Sequence, residues 1–370
     1  MTQQADVIVI GAGIIGCSTA YELARRGARV RLIDGRDIAL GATQASAGVL
    51  APYIEGHEKG ALLDLAVRSL ALYDEFIGRL REETRGPLHY DRTGTVETAA
   101  DAETAAALRA RARHLDEAGV RAEFLDAAAV REAEPRLAPE TAGGLVVHTH
   151  GFVNAVELTL ALWEAAAARG VRVFRPCQVR ALSAAGPDVR VDTDDGTMTA
   201  ATVVLAAGSW SGQIALEGET VPVRPVRGQL LHLDWRGAPL ERVIWGPSCY
   251  LVPWADGSLL VGATAEEVDF DERATVAGVR DLLDAVCDLV PHAWQAGFTG
   301  VRVGLRPATP DELPIIGRSR VLPGVVYATG HYRNGILLAP LTAGLVADLV
   351  IDGRRHPDLD AVRPDRFGRS

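Results

Sequence analysis

The chain has 370 residues, of which 48 % are hydrophobic, so it can bury the core of one large domain or of two smaller ones. A formal net charge of −10, with basic residues dispersed along the chain, argues against a nucleic-acid partner and against an electrostatic membrane anchor. The four cysteines form no CxxC pair and the nine histidines lack metal-ligand spacing, which predicts no metal site, no disulfide framework and a cytoplasmic location.

The N-terminal segment DVIVIGAGIIGCSTAYELARRGARVRLID has the order strand, glycine turn, helix and strand. Its first strand runs into G-x-G-x-x-G, formed by Gly11, Gly13 and Gly16. Gly11 permits a tight turn, Gly13 the close approach of a pyrophosphate, and Gly16 close packing between helix and strand. The phosphates would then lie at the positive N-terminus of the helix, beside Ile14 and Ile15.

Asp34 follows the second strand of this unit, about 20 residues after the glycines, where a carboxylate accepts hydrogen bonds from the ribose hydroxyls of an adenosine. A carboxylate at this position disfavours the 2′-phosphate of NADP, and the pattern leaves NAD and FAD as alternatives. The unit therefore predicts an α/β fold with a Rossmann-type dinucleotide-binding domain.

The next 100 or so residues show helical periodicity at 62–80 and an alanine-rich helical segment at 102–118. TVVLAAG (202–208) then predicts another buried strand of the first domain. From about residue 214 to 302, short alternating strands and a helix near 273–290 predict a mostly antiparallel sheet with helices. The most apolar late stretch, ILLAPLTAGLVADLVI, is too short and too interrupted to span a bilayer.

Five further segments follow the βαβ unit in chain order: GATQASAGVLAP, GFVNAVEL, TVVLAAGSWSG, GLRPATPDELPIIG and ATGHYRNGILLAP. Together with that unit they resemble the FAD-dependent amino acid oxidases of the D-amino acid oxidase and sarcosine oxidase superfamily. The resemblance extends over nearly the whole chain and is strongest to the glycine oxidases that serve thiazole formation in thiamine biosynthesis. It implies an FAD-binding domain of residues 1–52, 150–213 and 303–370, and a substrate-binding domain of residues 53–149 and 214–302.

The resemblance also implies which residues bind the cofactor. Thr43 would donate to phosphate or flavin, Val179 would contact the adenine through its backbone, and the helix beginning near Gly335 would favour negative charge on the reduced flavin. Trp210 would pack beside the cofactor, although a plain core tryptophan is an equal alternative. The predicted cofactor-binding residues are Gly11, Gly13, Ile14, Ile15, Gly16, Asp34, Thr43, Ser46, Ala47, Gly48, Val49, Val179, Ala207, Gly208, Trp210, Arg306, Arg333, Asn334, Gly335, Ile336 and Leu337.

The catalytic residues implied by the resemblance are Arg306, Tyr250 and Arg333. A guanidinium matches a carboxylate in bidentate fashion, so Arg306 would bind the substrate carboxylate, with the Tyr250 hydroxyl reaching the same group. Without the resemblance, Arg306 would be a surface arginine at a strand end and Tyr250 an ordinary residue of a half-buried strand. Some relatives attach FAD to a late cysteine, but the last cysteine here, Cys287, precedes the C-terminal motifs, so we expect non-covalent FAD.

The resemblance implies oxidative deamination of glycine or another small amino acid, in which a hydride passes from Cα to flavin N5 and O₂ is reduced to H₂O₂. The imine would be hydrolysed or passed to a thiazole synthase, and the protein would be a homo-oligomer, a tetramer in many relatives. The alternatives are a D-amino acid or 2-hydroxy acid dehydrogenase with another electron acceptor, a sarcosine or N-methyl amino acid oxidase, and an FAD-carrying subunit without turnover. Ser248 stands where some glycine oxidases have a histidine, which leaves more room for a larger substrate.

Overall fold

The computed structural model of the chain describes residues 5–54 and 60–368. Within these ranges the α-helices are α1 (Ile14–Arg25), α2 (Ala61–Glu83), α3 (Ala102–Glu117), α4 (Ala127–Ala133), α5 (Ala155–Ala168), α6 (Val276–Leu289) and α7 (Gly335–Ile351). The strands are β1 (Ala5–Ile10), β2 (Val30–Ile33), β3 (Val49–Leu50), β4 (Tyr90–Asp91), β5 (Thr95–Ala99), β6 (Ala122–Asp126), β7 (Gly143–Val147), β8 (Gly151–Val153), β9 (Arg172–Phe174), β10 (Val179–Ala185), β11 (Asp188–Thr193), β12 (Gly196–Leu205), β13 (Ala215–Leu216), β14 (Arg224–Asp234), β15 (Val243–Trp245), β16 (Tyr250–Pro253), β17 (Ser258–Gly262), β18 (Gly297–Ala308), β19 (Ile315–Arg318) and β20 (Val325–Thr329).

The first large sheet is a parallel sheet with an antiparallel extension. Its order is β13-β10-β11-β12-β1-β2-β9, with β20 beside the second half of β12 and β19 beside β20. The strands β9, β2, β1, β12 and β20 pair in parallel, and α1, α5 and α7 pack together in one core with them. This is the Rossmann-type arrangement that the sequence predicts.

The turn from β1 into α1 depends on two of its glycines. Gly11 has a φ of +106°, and a Cβ added there would lie 2.3 Å from the carbonyl oxygen of Ala206. A Cβ at Gly16 would lie 1.7 Å from the carbonyl oxygen of Gly11, which is too close for any side chain. The two glycines therefore let α1 and the neighbouring strand approach the turn, as the sequence predicts.

The second large sheet has the order β18-β14-β17-β16-β15-β5-β7-β6 and is antiparallel except between β15 and β5. On one face, Leu231, Leu251 and Val261 share a buried core with Leu282 and Val286 of α6. The residues that alternate with them point to the opposite face, which carries the candidate site. The predicted antiparallel sheet with a helix on it is therefore present.

A third, short sheet has the order β3-β8-β4. The division into two domains remains a prediction, and β18 runs without a break across residue 303, one of the predicted boundaries. Of the helices within residues 5–54 and 60–368, none has both the length and the apolar content to cross a membrane. The same ranges contain no group of three or more His, Cys, Asp or Glu side chains arranged to hold a metal ion.

Candidate active site

A cavity of about 390 Å³ is lined by the carboxyl ends of β1, β2, β12 and β20 and by residues of β16, β17 and β18. The carboxyl end of a parallel α/β sheet is where such folds bind their ligands. The volume is within the range of roughly 300–1,000 Å³ that is typical of small-molecule sites. Residues of both large sheets therefore meet in one concave site.

Most of the predicted site residues line this cavity. They are Gly11, Gly13, Ile14, Ile15, Asp34, Thr43, Ser46, Ala47, Gly48, Val49, Val179, Ala207, Gly208, Trp210, Tyr250, Arg306, Arg333, Gly335 and Ile336. Three predicted residues, Gly16, Asn334 and Leu337, do not line it. Gly16 packs against the backbone of Gly11, and both Asn334, which precedes α7, and Leu337, in its first turn, are buried.

The start of α1 fits a pyrophosphate. The nearest atom to a Cβ added at Gly13 is the Thr43 hydroxyl oxygen, at 3.4 Å, so this glycine faces open space in the cavity. Thr43 Oγ1 accepts a hydrogen bond of 3.1 Å from the Ile14 N–H, and the hydroxyl can still donate its own hydrogen to a ligand. The first-turn N–H groups of α1 lack acceptors within the helix and carry its positive end, which favours an anion here.

Asp34 closes the other side of the glycine turn. Its Oδ2 accepts from the Ala12 N–H at 2.6 Å, and its Oδ1 accepts from the Arg36 N–H at 2.6 Å. Burial raises the pKa of the Asp34 carboxyl, opposed by these two hydrogen bonds. Each carboxylate oxygen can accept a further hydrogen bond, which fits the ribose hydroxyls of an adenosine.

Sequence reasoning missed Arg36, which contributes to the same end of the cavity. Its guanidinium carbon lies 4.2 Å from the centroid of the Trp210 ring, and it forms two hydrogen bonds, of 2.9 and 2.6 Å, with Glu272. The stack holds the partly exposed Trp210 at the cavity wall, and its packing beside the cofactor stays a prediction. In the sequence, only the nearness of Arg36 to Asp34 could have indicated that it contributes to the site.

The segment between β20 and α7 makes a tight turn at the cavity. Tyr332 has a φ of +47°, unusual for a tyrosine, and its N–H donates to the Pro307 carbonyl at 2.9 Å. His331 is buried, with Nε2 3.0 Å from Thr342 Oγ1, and burial lowers the pKa of its imidazole to about 3. His331 is therefore a neutral packing residue, whereas Arg333 is exposed and lies over the Tyr332 ring at 5.1 Å.

The N-terminus of α7 is directed at the cavity, with Gly335 and Ile336 in its lining. Pro340 lies inside this helix and cannot donate to the carbonyl four residues before it, that of Ile336. The hydroxyl of Tyr73 on α2 donates to that carbonyl instead. The first turn of α7 is thus held by a contact from a distant part of the sequence.

Arg306 and Tyr250 come from the second sheet. Arg306 Nη1 donates to the Thr264 carbonyl at 2.9 Å, and the Tyr250 ring stacks on Trp245 with centroids 4.8 Å apart. Sequence reasoning missed Trp245 and Thr264, which also line the cavity. Trp245 is the cross-strand partner of Tyr250, and that pairing is not legible from local sequence.

The charges around the cavity favour an anionic ligand. The lining includes Arg36, Arg306 and Arg333, and Asp34 is the one carboxylate among the described lining residues. Two helix N-termini, of α1 and α7, add partial positive charge. The glycine turn, the Asp34 carboxylate and these cationic groups fit FAD: Gly13 and the start of α1 would hold its pyrophosphate, and Asp34 its ribose.

Comparison with known proteins agrees with this fit. The family described as DAO, FAD dependent oxidoreductase, matches residues 6–349. A bifunctional protein ThiO/ThiG from Nostoc sp. strain PCC 7120 is 37 % identical over 95 % of this chain, which spans about half (53 %) of that longer protein. The glycine oxidase of Geobacillus kaustophilus is 35 % identical over 95 % of this chain and 94 % of its own length.

Solved structures agree in fold. The crystal structure of the Geobacillus kaustophilus glycine oxidase superposes with a TM-score of 0.94 at 33 % identity, covering 99 % of both chains. Iminodiacetate oxidase from Chelativorans sp. BNC1 gives a TM-score of 0.90 at 29 % identity, covering 97 % of this chain and 98 % of its own. The predicted fold and the predicted FAD cofactor are thereby confirmed. The chain belongs to the DAO family of FAD-dependent oxidoreductases.

Proposed function

We propose that this enzyme oxidises glycine or another small amino acid to its imine, with O₂ reduced to H₂O₂. The substrate's C–N single bond loses two electrons and two protons to become a C=N bond, and O₂ takes up the same two electrons and two protons. Water then converts the imine to an oxo acid and ammonia. The coupling to FAD rests on the family, and the choice of substrate rests on the cavity.

The observation that carries this proposal is the pairing of Arg306 with Tyr250 in one cavity. A carboxylate accepts two parallel hydrogen bonds from a guanidinium, and the Tyr250 hydroxyl can donate a third. The Arg306 guanidinium is already oriented by the Thr264 carbonyl, so little rotamer freedom is lost when substrate binds. The residues around the pair are small, including Gly262, Ala263 and Ala265, which suits a small amino acid.

The chain's own residues bind and orient rather than exchange protons. The described lining has no carboxylate near Arg306, and His331 is neutral at physiological pH because burial lowers its pKa to about 3. Bound FAD would supply the acceptor for a hydride from the substrate Cα and the route by which the electrons reach O₂. The N–H groups of Gly335 and Ile336 at the start of α7 would stabilise negative charge that develops in that part of the cavity.

We further propose that the imine is used by a thiazole synthase when one is present. The support is the name of the Nostoc relative, which joins ThiO and ThiG in one protein. The present chain corresponds to about half of that protein, so the partner would be a separate subunit or an adjoining segment. A homo-oligomer remains a prediction.

An N-substituted glycine is the second candidate substrate. Pro247 and Ser248 are exposed in the turn between β15 and β16 and line the cavity, so a substituent on the amine has room beside Tyr250. The similarity to iminodiacetate oxidase, whose name specifies such a substrate, favours this candidate over a 2-hydroxy acid.

A substrate panel tests both candidates. The holoenzyme would be assayed under air for H₂O₂ with glycine, sarcosine, iminodiacetate and small D-amino acids, and anaerobically for bleaching of the flavin absorbance. We expect peroxide with glycine or an N-substituted glycine. Anaerobic bleaching with dye reduction but no peroxide would indicate a dehydrogenase, and no bleaching by any member of the panel would refute the proposal.

A further inference from the structure

We propose that two glycines of the second sheet, Gly228 and Gly262, are positioning residues that determine where the Arg306 guanidinium and the Tyr250 hydroxyl lie. This proposal rests on the proposed function, in which these two groups bind the substrate carboxylate. Gly228 lies on β14 and Gly262 at the end of β17, and both are buried. The sequence motifs of the site include neither residue.

The strand register places the four residues on one face of the sheet. Arg306 on β18 pairs with Val226 on β14, and Gly228 is two residues further along the same strand, on the same face. Tyr250 on β16 pairs with Gly262 on β17. In the sheet order β18-β14-β17-β16, the two glycines lie on the two inner strands. The Arg306 side chain therefore extends from β18 over Gly228, and the Tyr250 side chain extends from β16 over Gly262, toward each other.

The contacts leave no space for a side chain on either glycine. A Cβ added at Gly228 would lie 2.4 Å from both Nη1 and Nη2 of Arg306 and 2.5 Å from its Cζ. A Cβ added at Gly262 would lie 2.3 Å from both Cζ and the hydroxyl oxygen of Tyr250. Neither glycine has a positive φ, so a left-handed backbone is not the reason that glycine stands at these positions.

The backbone behind Arg306 is firmly held. Thr264, whose carbonyl accepts from Arg306, donates from its own hydroxyl to Glu266 at 2.7 Å. Glu266 also accepts from Arg227 at 2.6 Å, and Arg227 is only 3 % exposed. A methyl group at position 228 therefore meets a fixed sheet on one side and the movable end of a long side chain on the other. The guanidinium is what must move.

Acetate binding to the FAD-loaded enzyme tests this inference without turnover. Acetate would be titrated into wild type, Gly228→Ala and the control Gly300→Ala, and binding followed by the change in flavin absorbance. We expect Gly228→Ala to raise the Kd of acetate at least about tenfold, because a displacement of about 1 Å is enough to disrupt such a contact. Gly300 lies on β18, the strand that also carries Arg306, and a Cβ there meets nothing within 4 Å, so Gly300→Ala should match wild type.

A double-mutant comparison separates positioning from a general structural effect. Once Arg306 is replaced by alanine, the space beside position 228 is open, so Gly228→Ala should then change the Kd by less than about twofold. Equal Kd values for wild type and Gly228→Ala, or the same fold-change in both backgrounds, would overturn the proposal. If Gly228→Ala does not fold, Gly262→Ala paired with Tyr250→Ala gives the same comparison.

The failure of the proposed function has a different signature. If Arg306→Ala leaves acetate binding unchanged, the assignment of Arg306 to the carboxylate is wrong, whatever Gly228→Ala does. If Arg306→Ala raises the Kd of acetate while Gly228→Ala has no effect, the carboxylate site stands and only the positioning role is lost.

Discussion

Replacing Arg306 with alanine removes the guanidinium that we propose binds the substrate carboxylate. A hydrogen bond to a charged group contributes about 1.5–3 kcal/mol, and Arg306 can form two of them with one carboxylate. Arg306 is partly exposed, so water replaces some of the lost interaction, and we expect a net loss of about 2–4 kcal/mol. This corresponds to a decrease in kcat/KM of roughly 30- to 1,000-fold.

The assay is steady-state peroxide formation with glycine, together with glycinamide, which keeps the amine but has no carboxylate. Wild type should have a much higher kcat/KM for glycine than for glycinamide. Arg306→Ala should lose most of that preference, because the guanidinium it lacks would contact only the carboxylate. Arg280→Ala is the matched control, since Arg280 lies exposed on α6 and pairs with Asp281. An Arg306→Ala enzyme that retains both its kcat/KM and its preference for glycine would refute the reasoning.

Three further predictions concern the Tyr250 hydroxyl, the attachment of FAD and a buried histidine outside the cavity lining. Tyr250→Phe keeps the ring on Trp245 but removes one donor, so KM for glycine should rise about tenfold or more, and an unchanged KM would contradict the role of the hydroxyl. Acid precipitation should release the yellow colour into the supernatant, because we expect FAD to be bound without a covalent link; colour in the pellet would show the opposite. Burial lowers the pKa of the His150 imidazole to about 3, so the unfolded chain binds a proton below about pH 6.5 that the folded chain does not. The free energy of unfolding should therefore fall as pH falls from 6.5 toward 3, and denaturant titrations at pH 7 and pH 5 should show a smaller fall for His150→Gln than for wild type; equal falls would count against this.

Local patterns predicted the parts of the fold that depend on neighbouring residues. The βαβ unit follows from the apolar strand, the glycine turn and Asp34, and the structure forms it from β1, α1 and β2. The helical periodicity at 62–80 corresponds to α2, and the alanine-rich segment at 102–118 to α3. These elements could be predicted because turn geometry and helix periodicity are properties of short segments.

The candidate site was only partly predictable, since several of its contacts join distant segments. Trp245 reaches Tyr250 through strand pairing, and the Thr264 carbonyl reaches Arg306 from another strand. Gly228 acquires its role because the strand register brings Arg306 over it. A family resemblance could point to Arg306 and Tyr250, but what holds them in place becomes visible only when the sheet is assembled.

The two large sheets contribute different kinds of positive group to the cavity. The helices that pack with the first sheet supply positive charge through their backbone, at the starts of α1 and α7. Each of these helix ends is fixed by a side chain from elsewhere. Thr43 accepts from the Ile14 N–H, and Tyr73 donates to the Ile336 carbonyl that Pro340 leaves without its helical partner. The second sheet supplies a guanidinium, a rigid fork that suits a carboxylate better than a helix end does. In the proposed function the anionic cofactor would lie at the helix ends and the small anionic substrate at the guanidinium, within one cavity.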